Sequence, residues 1–278
     1  GVGENVYSVR GLESRGRSLE EVAASADGLA EMYPEDKFKV VKAFQAKGYK
    51  VAMTGDGVND APALSQAEVG IAVKHATDAA RAAASLVLLN EGLSVIVDAV
   101  RVGRVLHQRA LSWVINKVTK TLQSILTVLA GMLWLRRLVI TPAGMAMLLL
   151  ANDFLTLSLS TDNARPSKRP AEWDVRKIMV LSLPLSAAMA VPPILTLYAS
   201  TAVMGLGWGA TTSAVLLSLI YTSQVRVLMV RERGWLWSSR PGRELSLSVV
   251  GTFAAFTALA LAGVFFTGLA PHVVALVL

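Results

Sequence analysis

The 278 residues predict an α/β unit followed by a bundle of membrane-spanning helices, and three observations carry that reading. Over residues 1 to 92, short β-prone runs alternate with helical patterns, which argues for a doubly wound, mostly parallel sheet. From residue 111 onward, five apolar stretches each approach the roughly 20 residues needed to cross a bilayer. Composition agrees: 53% of residues are hydrophobic and 17% charged, and the mean hydropathy is +0.50, too apolar for a wholly water-exposed enzyme.

Local signals define each element. Asn5 to Val9 (NVYSV) reads as a strand, and Ser18 with Glu21 forms a capping box for a helix through about Ala26. Leu29 to Tyr33 is a second short strand. Pro34, Glu35 and Asp36 then open a helix that runs to Lys47 and ends at Gly48, with the proline and the carboxylates suited to a first turn. The apolar run Tyr49 to Met53 is a third strand, and Asn59 to Ala67 has helical spacing. Val69 to Val73 is a strand, Thr77 caps a helix beginning at Asp78, and Leu86 to Leu89 is the last strand. From Gly92 the pattern turns helical. Leu93 to Arg109, with Arg101, Arg104 and Arg109, reads as a cytoplasmic stalk continuous with the first span.

The spans fall at roughly Leu111 to Leu135, Ile140 to Thr161, Ile178 to Met204, Ala210 to Val230 and Leu245 to Thr267, with a sixth starting at Pro271. Arg165, Lys168, Arg169, Arg176 and Lys177 lie in one connecting loop, and Arg231, Arg233, Arg240 and Arg243 in another. The loops around Gly207 and Gly268 carry no charge. By the positive-inside rule the basic loops are cytoplasmic, on the side of the α/β half, with Arg136 and Arg137 as a local exception. The net charge of +7 therefore reports topology, and no nucleic-acid partner is needed to explain it. Trp113, Trp134 and Trp208 near span ends fit an aromatic belt, and Pro192 with Pro193 implies a kink in the third span.

The stretch Met53 to Leu64 (MTGDGVNDAPAL) concentrates two carboxylates, an amide and two glycines between a strand and a helix. Ligands of open α/β sheets bind at such loops. Gly55 and Gly57 permit close backbone approach, and Asp56 and Asp60, one helical turn apart, can place hard oxygens on one small cation. A magnesium and phosphate site is the expectation. With no cysteine in the chain, thiolate chemistry is excluded. His75, His107 and His272 lack ligand spacing.

Within the spans, Asp153 lies mid-way along the second, and Lys117 and Lys120 lie in the first. Ionisable residues at that depth are costly and mark function. Counted from the inner span ends, Lys120 and Asp153 match in depth, so they are the expected pair, with Lys117 snorkelling to the interface.

Thr54 to Leu64 (TGDGVNDAPAL) resembles the hinge signature of the P-type cation-transporting ATPases, whose phosphorylation domain belongs to the haloacid dehalogenase superfamily. Tyr33 to Val41, Val69 to Ala84 and Leu86 to Val97 are similar to the same family. Asn152 to Pro170 and Ser223 to Gly242 look most like the plasma-membrane proton pumps. The resemblance implies a Rossmann-like α/β fold of haloacid dehalogenase type. It implies that Asp56 binds the catalytic Mg2+, Asp60 supports its shell, Asn59 contacts the phosphoryl group or orders that shell, and Thr54, Gly55 and Gly57 form the loop. Lys37 matches the lysine that neutralises phosphoryl charge. Asp153, with Asn152 and Lys120 beside it, matches the membrane site that takes up the transported proton.

The departures are equally specific. No Asp-Lys-Thr-Gly-Thr motif occurs, so the aspartate that would form the aspartyl-phosphate is expected from a missing N-terminal part of the same pump. Gln123 stands where the proton pumps tend to carry an arginine. The expected organisation is the end of a cytoplasmic phosphorylation domain over 1–92, a stalk helix over 93–110 and a transmembrane domain over 111–278. The expected function is a share in ATP-driven proton export across the plasma membrane, with ATP as substrate and the bilayer as surroundings. A pump for another cation and a non-transporting remnant are the alternatives.

Overall fold

The computed structural model describes residues 3–14, 18–23, 25–90, 92, 94–164, 166–167, 173–231, 239–264 and 267–277. The chain divides into two units, Gly1–Ala99 and Val100–Leu278.

The first unit holds two small parallel sheets instead of one doubly wound sheet. Strand β1 (Val6–Ser8) pairs with β2 (Gly28–Ala30). Between them lie helix α1 (Val9–Ser14) and helix α2 (Leu19–Ala23). Ser8 ends the strand by capping α1, its Oγ accepting Gly11 N–H at 3.3 Å, and the expected strand through Val9 stops for that reason. Ser18 Oγ accepts Glu21 N–H at 3.2 Å at the start of α2, as the capping signal predicts. Strand β2 is shorter than expected because Glu31 takes φ 56°, a left-handed turn that leaves the sheet.

Helix α3 (Pro34–Ala46) follows, and Asp36 Oδ2 reaches back to accept Tyr33 N–H at 2.9 Å. The second sheet is ordered β3 (Ala52–Gly55), β4 (Val69–Ala72), β5 (Leu86–Val87), all parallel. β3 starts later than expected because Val51 N–H is taken by Glu68 Oε2 at 2.8 Å. A 3-10 turn (Val58–Asp60) leads into α4 (Ala61–Gln66), and Thr77 Oγ1 caps α5 (Asp78–Ala83) by accepting Ala80 N–H at 3.4 Å. Leu64, Ala72, Ala76 and Ala80 pack as one core, and Val41, Ala63 and Ala67 as another. β4 passes so close to α4 that a Cβ on Gly70 would stand 2.4 Å from the Leu64 carbonyl oxygen.

The second unit is helical: α6 (Ser94–Leu135), α7 (Pro142–Leu159), α8 (Val175–Tyr198) ending in a π turn (Ala199–Val203), α9 (Trp208–Arg231), α10 (Arg243–Ala262) and α11 (Pro271–Val277). Five of these are long and apolar enough to cross a membrane. At 42 residues, α6 is roughly 60 Å long, about twice the hydrocarbon thickness. Its basic N-terminal part therefore projects beyond a bilayer that its C-terminal part crosses. α9 is the central helix, with 83% of its apolar window buried. Leu148, Leu197, Leu217 and Ile220 lie in the main core around it.

Local chemistry explains the helix ends. Thr141 Oγ1 accepts Gly144 N–H at 3.0 Å, and Asp174 Oδ1 accepts Lys177 N–H at 3.2 Å. Arg137 lies over the Trp208 ring at 5.4 Å, and Trp134 stacks on Tyr198 at 5.5 Å, so one of the two arginines of that loop is held by the aromatic belt. Pro184, Pro192 and Pro193 lie inside α8 without ending it. Pro193 has no N–H for the Met189 carbonyl one turn back, and Gln123 Nε2 of α6 donates to that carbonyl at 2.8 Å instead. Of the basic-loop residues, Arg165, Lys168, Arg169 and Arg233 lie outside the described residues.

Candidate functional site

Thr54 and Gly55 end β3, so the chain leaves the sheet at its C-terminal edge through Asp56 and Gly57. Asp60 organises the turn. Its Oδ2 accepts the backbone N–H groups of Asp56 at 3.2 Å and Gly57 at 3.4 Å, and its Oδ1 accepts Lys37 Nζ at 2.6 Å. Gly55 is required here: an added Cβ would lie 2.6 Å from Asp60 Cβ. Burial works to raise the Asp60 pKa, but the Lys37 hydrogen bond and the two backbone donors outweigh it and hold the carboxyl below its ordinary value. The pair is half-sheltered, with side-chain exposures of 37% for Lys37 and 7% for Asp60.

Asp56 and Asn59 are exposed at the same turn, and the Asp56 carboxylate meets no donor among the described residues. The two aspartates are thus in different states: Asp60 is saturated by donors from the protein, while Asp56 is free. That donor set fits a hard cation such as Mg2+, which keeps several waters and takes one or two carboxylates. Asp56 is the oxygen ligand open to it, and Asp60 faces Lys37 and the loop backbone. No cluster of three or more His, Asp or Glu side chains occurs among the described residues.

In the helical unit the structure corrects the expected partner of Asp153. Lys117 Nζ lies 3.0 Å from Asp153 Oδ1, and Lys120 makes no ion pair among the described residues. Depth was matched from the sequence, but azimuth decides the contact. Asn116, Thr119, Lys120, Gln123 and Thr127 form the buried face of α6. Lys117 lies off that face, with its ammonium 5.7 Å from the Trp113 ring centroid. The pair is also more open than expected, with side-chain exposures of 34% for Lys117 and 59% for Asp153.

Asn152 points the other way, into the bundle, where it meets a residue the sequence reading missed. Arg226 of α9 is 1% exposed. Its Nε donates to Asn116 Oδ1 at 2.8 Å, its Nη2 to Asn152 Oδ1 at 2.8 Å, and its Nη1 to Gln123 Oε1. An arginine four residues inside the predicted end of an apolar span was the available signal. At the end of α7, Asp162 is buried against Arg231, with Oδ2 2.9 Å from Nε, and its Oδ1 accepts Gly242 N–H at 2.7 Å. Arg109 Nε and Nη2 donate to the Asp162 carbonyl at 2.9 and 2.7 Å.

Residues 14–68 match the family of haloacid dehalogenase-like hydrolases. The chain is 39% identical over 273 residues to a putative cation-transporting ATPase of Methanocaldococcus jannaschii, covering 95% of this chain and 34% of that protein. It is 35% identical over 261 residues to a plasma membrane ATPase of Kluyveromyces lactis, covering 90% of this chain and 29% of that protein. Plasma membrane ATPase 1 of Saccharomyces cerevisiae is likewise 35% identical, over 260 residues and 90% of this chain. The chain spans about a third of the length of the relatives it matches.

Proposed function

We propose that this chain, which is similar along nearly its whole length to cation-transporting and plasma membrane ATPases, carries the metal half of a phosphoryl-transfer site and the ion-binding spans of a proton pump. The pump is of the P type, uses ATP as substrate and lies in the plasma membrane, with the α/β unit and the basic loops on the cytoplasmic side.

The observation that carries the catalytic part is the bond between Lys37 and Asp60. Phosphoryl transfer is mostly positioning and charge stabilisation, so a fixed ammonium beside an open carboxylate is what the reaction needs. Asp56 would hold Mg2+, which when bound offsets negative charge on the phosphoryl oxygens. Lys37 sets a second positive charge against the same oxygens, and Asp60 fixes its direction. Asn59 offers an amide at the mouth of the turn, and Thr54, Gly55 and Gly57 keep the backbone low enough for close approach. The phosphorylated carboxylate comes from outside this chain.

Proton transport rests on Asp153. Among the described residues of the five spanning helices the other two carboxylates, Asp98 and Glu244, lie within about five residues of the N-termini of α6 and α10, so Asp153 is the one at depth in a span. A divalent metal takes several carboxylate oxygens, whereas a proton needs one. Lys117 and Lys120 add positive charge near it, which disfavours a second cation there. ATP-driven acidification of vesicles by the full-length pump tests the reading, with Na+, K+ and Ca2+ uptake measured alongside. Acidification that Asp153→Asn abolishes supports it, and uptake of a metal cation without acidification overturns proton transport.

A further inference from the structure

Arg226 is the largest fully buried side chain of the described residues, and no carboxylate among them contacts its guanidinium. Its three partners are all neutral amide oxygens, brought from two other helices: Asn116 and Gln123 from α6, Asn152 from α7. Convergent amide and carbonyl oxygens inside a bundle of spans are what a desolvated metal cation would take as ligands. In this protein a side-chain cation already occupies their centre.

Two of the three amides are held from turning away. Asn152 Nδ2 donates to the Leu148 carbonyl at 2.6 Å, and Gln123 Nε2 donates to Thr222 Oγ1 at 2.7 Å and to the Met189 carbonyl at 2.8 Å. The Asn152 and Gln123 nitrogens are thus committed to acceptors, which leaves those two oxygens aimed at the guanidinium, and the Asn116 oxygen completes the set by accepting from Nε. Two helices and a proline-freed carbonyl of α8 fix the orientation of a cage that only a donor or a cation can satisfy.

We propose that Arg226 is a tethered cation that fills the Asn116, Gln123 and Asn152 oxygen cage and so makes the transport region selective against alkali-metal ions. The proposal rests on the pump reading above and supplies its specificity-determining residue. An Na+ ion entering the cage would stand about 4 Å from a second unit charge; at the effective dielectric of a protein interior, that repulsion weakens binding on the order of a thousand-fold. A proton escapes the penalty. It binds the Asp153 carboxylate, whose side chain lies next to the cage in sequence but on the open face of α7, and it needs no shell of oxygens.

The test is Na+ stabilisation of the purified full-length pump, read as thermal-unfolding midpoint against choline at matched ionic strength and saturating Mg2+. Three variants are compared with the unsubstituted protein: Arg226→Met, Arg226→Gln and Arg226→Lys. The neutral variants should gain Na+ stabilisation, with half-effect at a concentration at least tenfold lower than in the unsubstituted protein, while Arg226→Lys stays insensitive. Folded neutral variants with no such gain overturn the proposal. If neither neutral variant folds, the unsubstituted protein decides: stabilisation by Na+ beyond choline overturns the proposal, and its absence, shared by Arg226→Lys, supports it. Vesicle acidification is scored separately. A pump that acidifies while its neutral variants ignore Na+ sinks the cage proposal alone, and a pump that fails to acidify while those variants gain Na+ binding sinks the proton reading alone.

Discussion

Lys117 Nζ stands 3.0 Å from Asp153 Oδ1, while Lys120, one turn further along the same helix, turns into the bundle. Two lysines three residues apart are about 60° apart around the axis. That angle separates an ion pair on the open face from a lysine on the buried face of α6.

The first prediction concerns that pair. A double-mutant cycle with Lys117→Met and Asp153→Asn should show a coupling at least as large as the about 0.2–1 kcal/mol of water-exposed pairs, because both side chains belong to spans where water screens them less. The same cycle with Lys120→Met should show markedly less. Thermal unfolding in detergent measures both, and equal couplings would return Lys120 to the role of direct partner.

In the catalytic turn, Lys37→Met should lower ATP hydrolysis by the full-length pump about 10²–10³-fold, the usual effect of removing one charge-stabilising group. Asp56→Asn should abolish the Mg2+-dependent part altogether. Steady-state hydrolysis as a function of Mg2+ concentration reads both, and unchanged turnover in either variant removes that residue from the site.

Asp60 gives the α/β unit a defined acid response. Its carboxyl is held below the ordinary value of 3.8 by Lys37 and the loop N–H groups, against the opposing effect of burial. A depressed folded-state value stabilises the fold in full above the unfolded value and loses that contribution as pH falls through the folded one. The stability gap between the wild type and Asp60→Asn should therefore be constant near neutrality and shrink below about pH 4. Unfolding midpoints of both proteins between pH 3 and 7 check it; a gap that widens on acidification contradicts the sign.

Asp162 and Arg231 form a pair whose side chains are 3% and 2% exposed. Removing one partner leaves a buried charge, at a cost of about 3–5 kcal/mol. Arg231→Met and Asp162→Ala should each lower the yield of folded protein, as seen by size exclusion in detergent. The double variant should fare better than the sum of the two losses, and strictly additive losses would show that the pair is not coupled.

Gly70 offers a backbone test. A methyl group there meets the Leu64 carbonyl, which belongs to α4 and has little room to yield. Gly70→Ala should destabilise by about 1–3 kcal/mol. An unaffected urea midpoint would mean that β4 and α4 can separate.

Much of this was legible in the sequence because it is local. Ser18, Thr77, Pro34 and Gly48 announce helix ends through chemistry that acts within one turn, and the apolar stretches announce spans by length. The Asp56 turn was legible because strand, glycines and carboxylates lie within a dozen residues. What escaped depends on contacts distant in sequence. The β-prone run predicts a strand through Val9, whereas Val9 opens α1 because the Ser8 hydroxyl caps that helix. Sequence spacing gives depth, which points to Lys120 as the partner of Asp153, whereas packing sets azimuth, which brings Lys117 to it instead. Arg226 stayed hidden because its three partners lie 74 to 110 residues away.

Pro193 is a small feature with a long reach. By lacking a hydrogen, it leaves the Met189 carbonyl open, and the Gln123 amide is anchored there by its nitrogen. A covalent ring on one span thereby sets the polarity of a side chain on another, presenting its negative end toward α9. Restoring the missing backbone hydrogen with Pro193→Ala would let α8 close its own ladder and leave the Gln123 nitrogen with Thr222 Oγ1 as its one acceptor, so the direction of a dipole at the heart of the bundle is set partly by an imino acid on a neighbouring span.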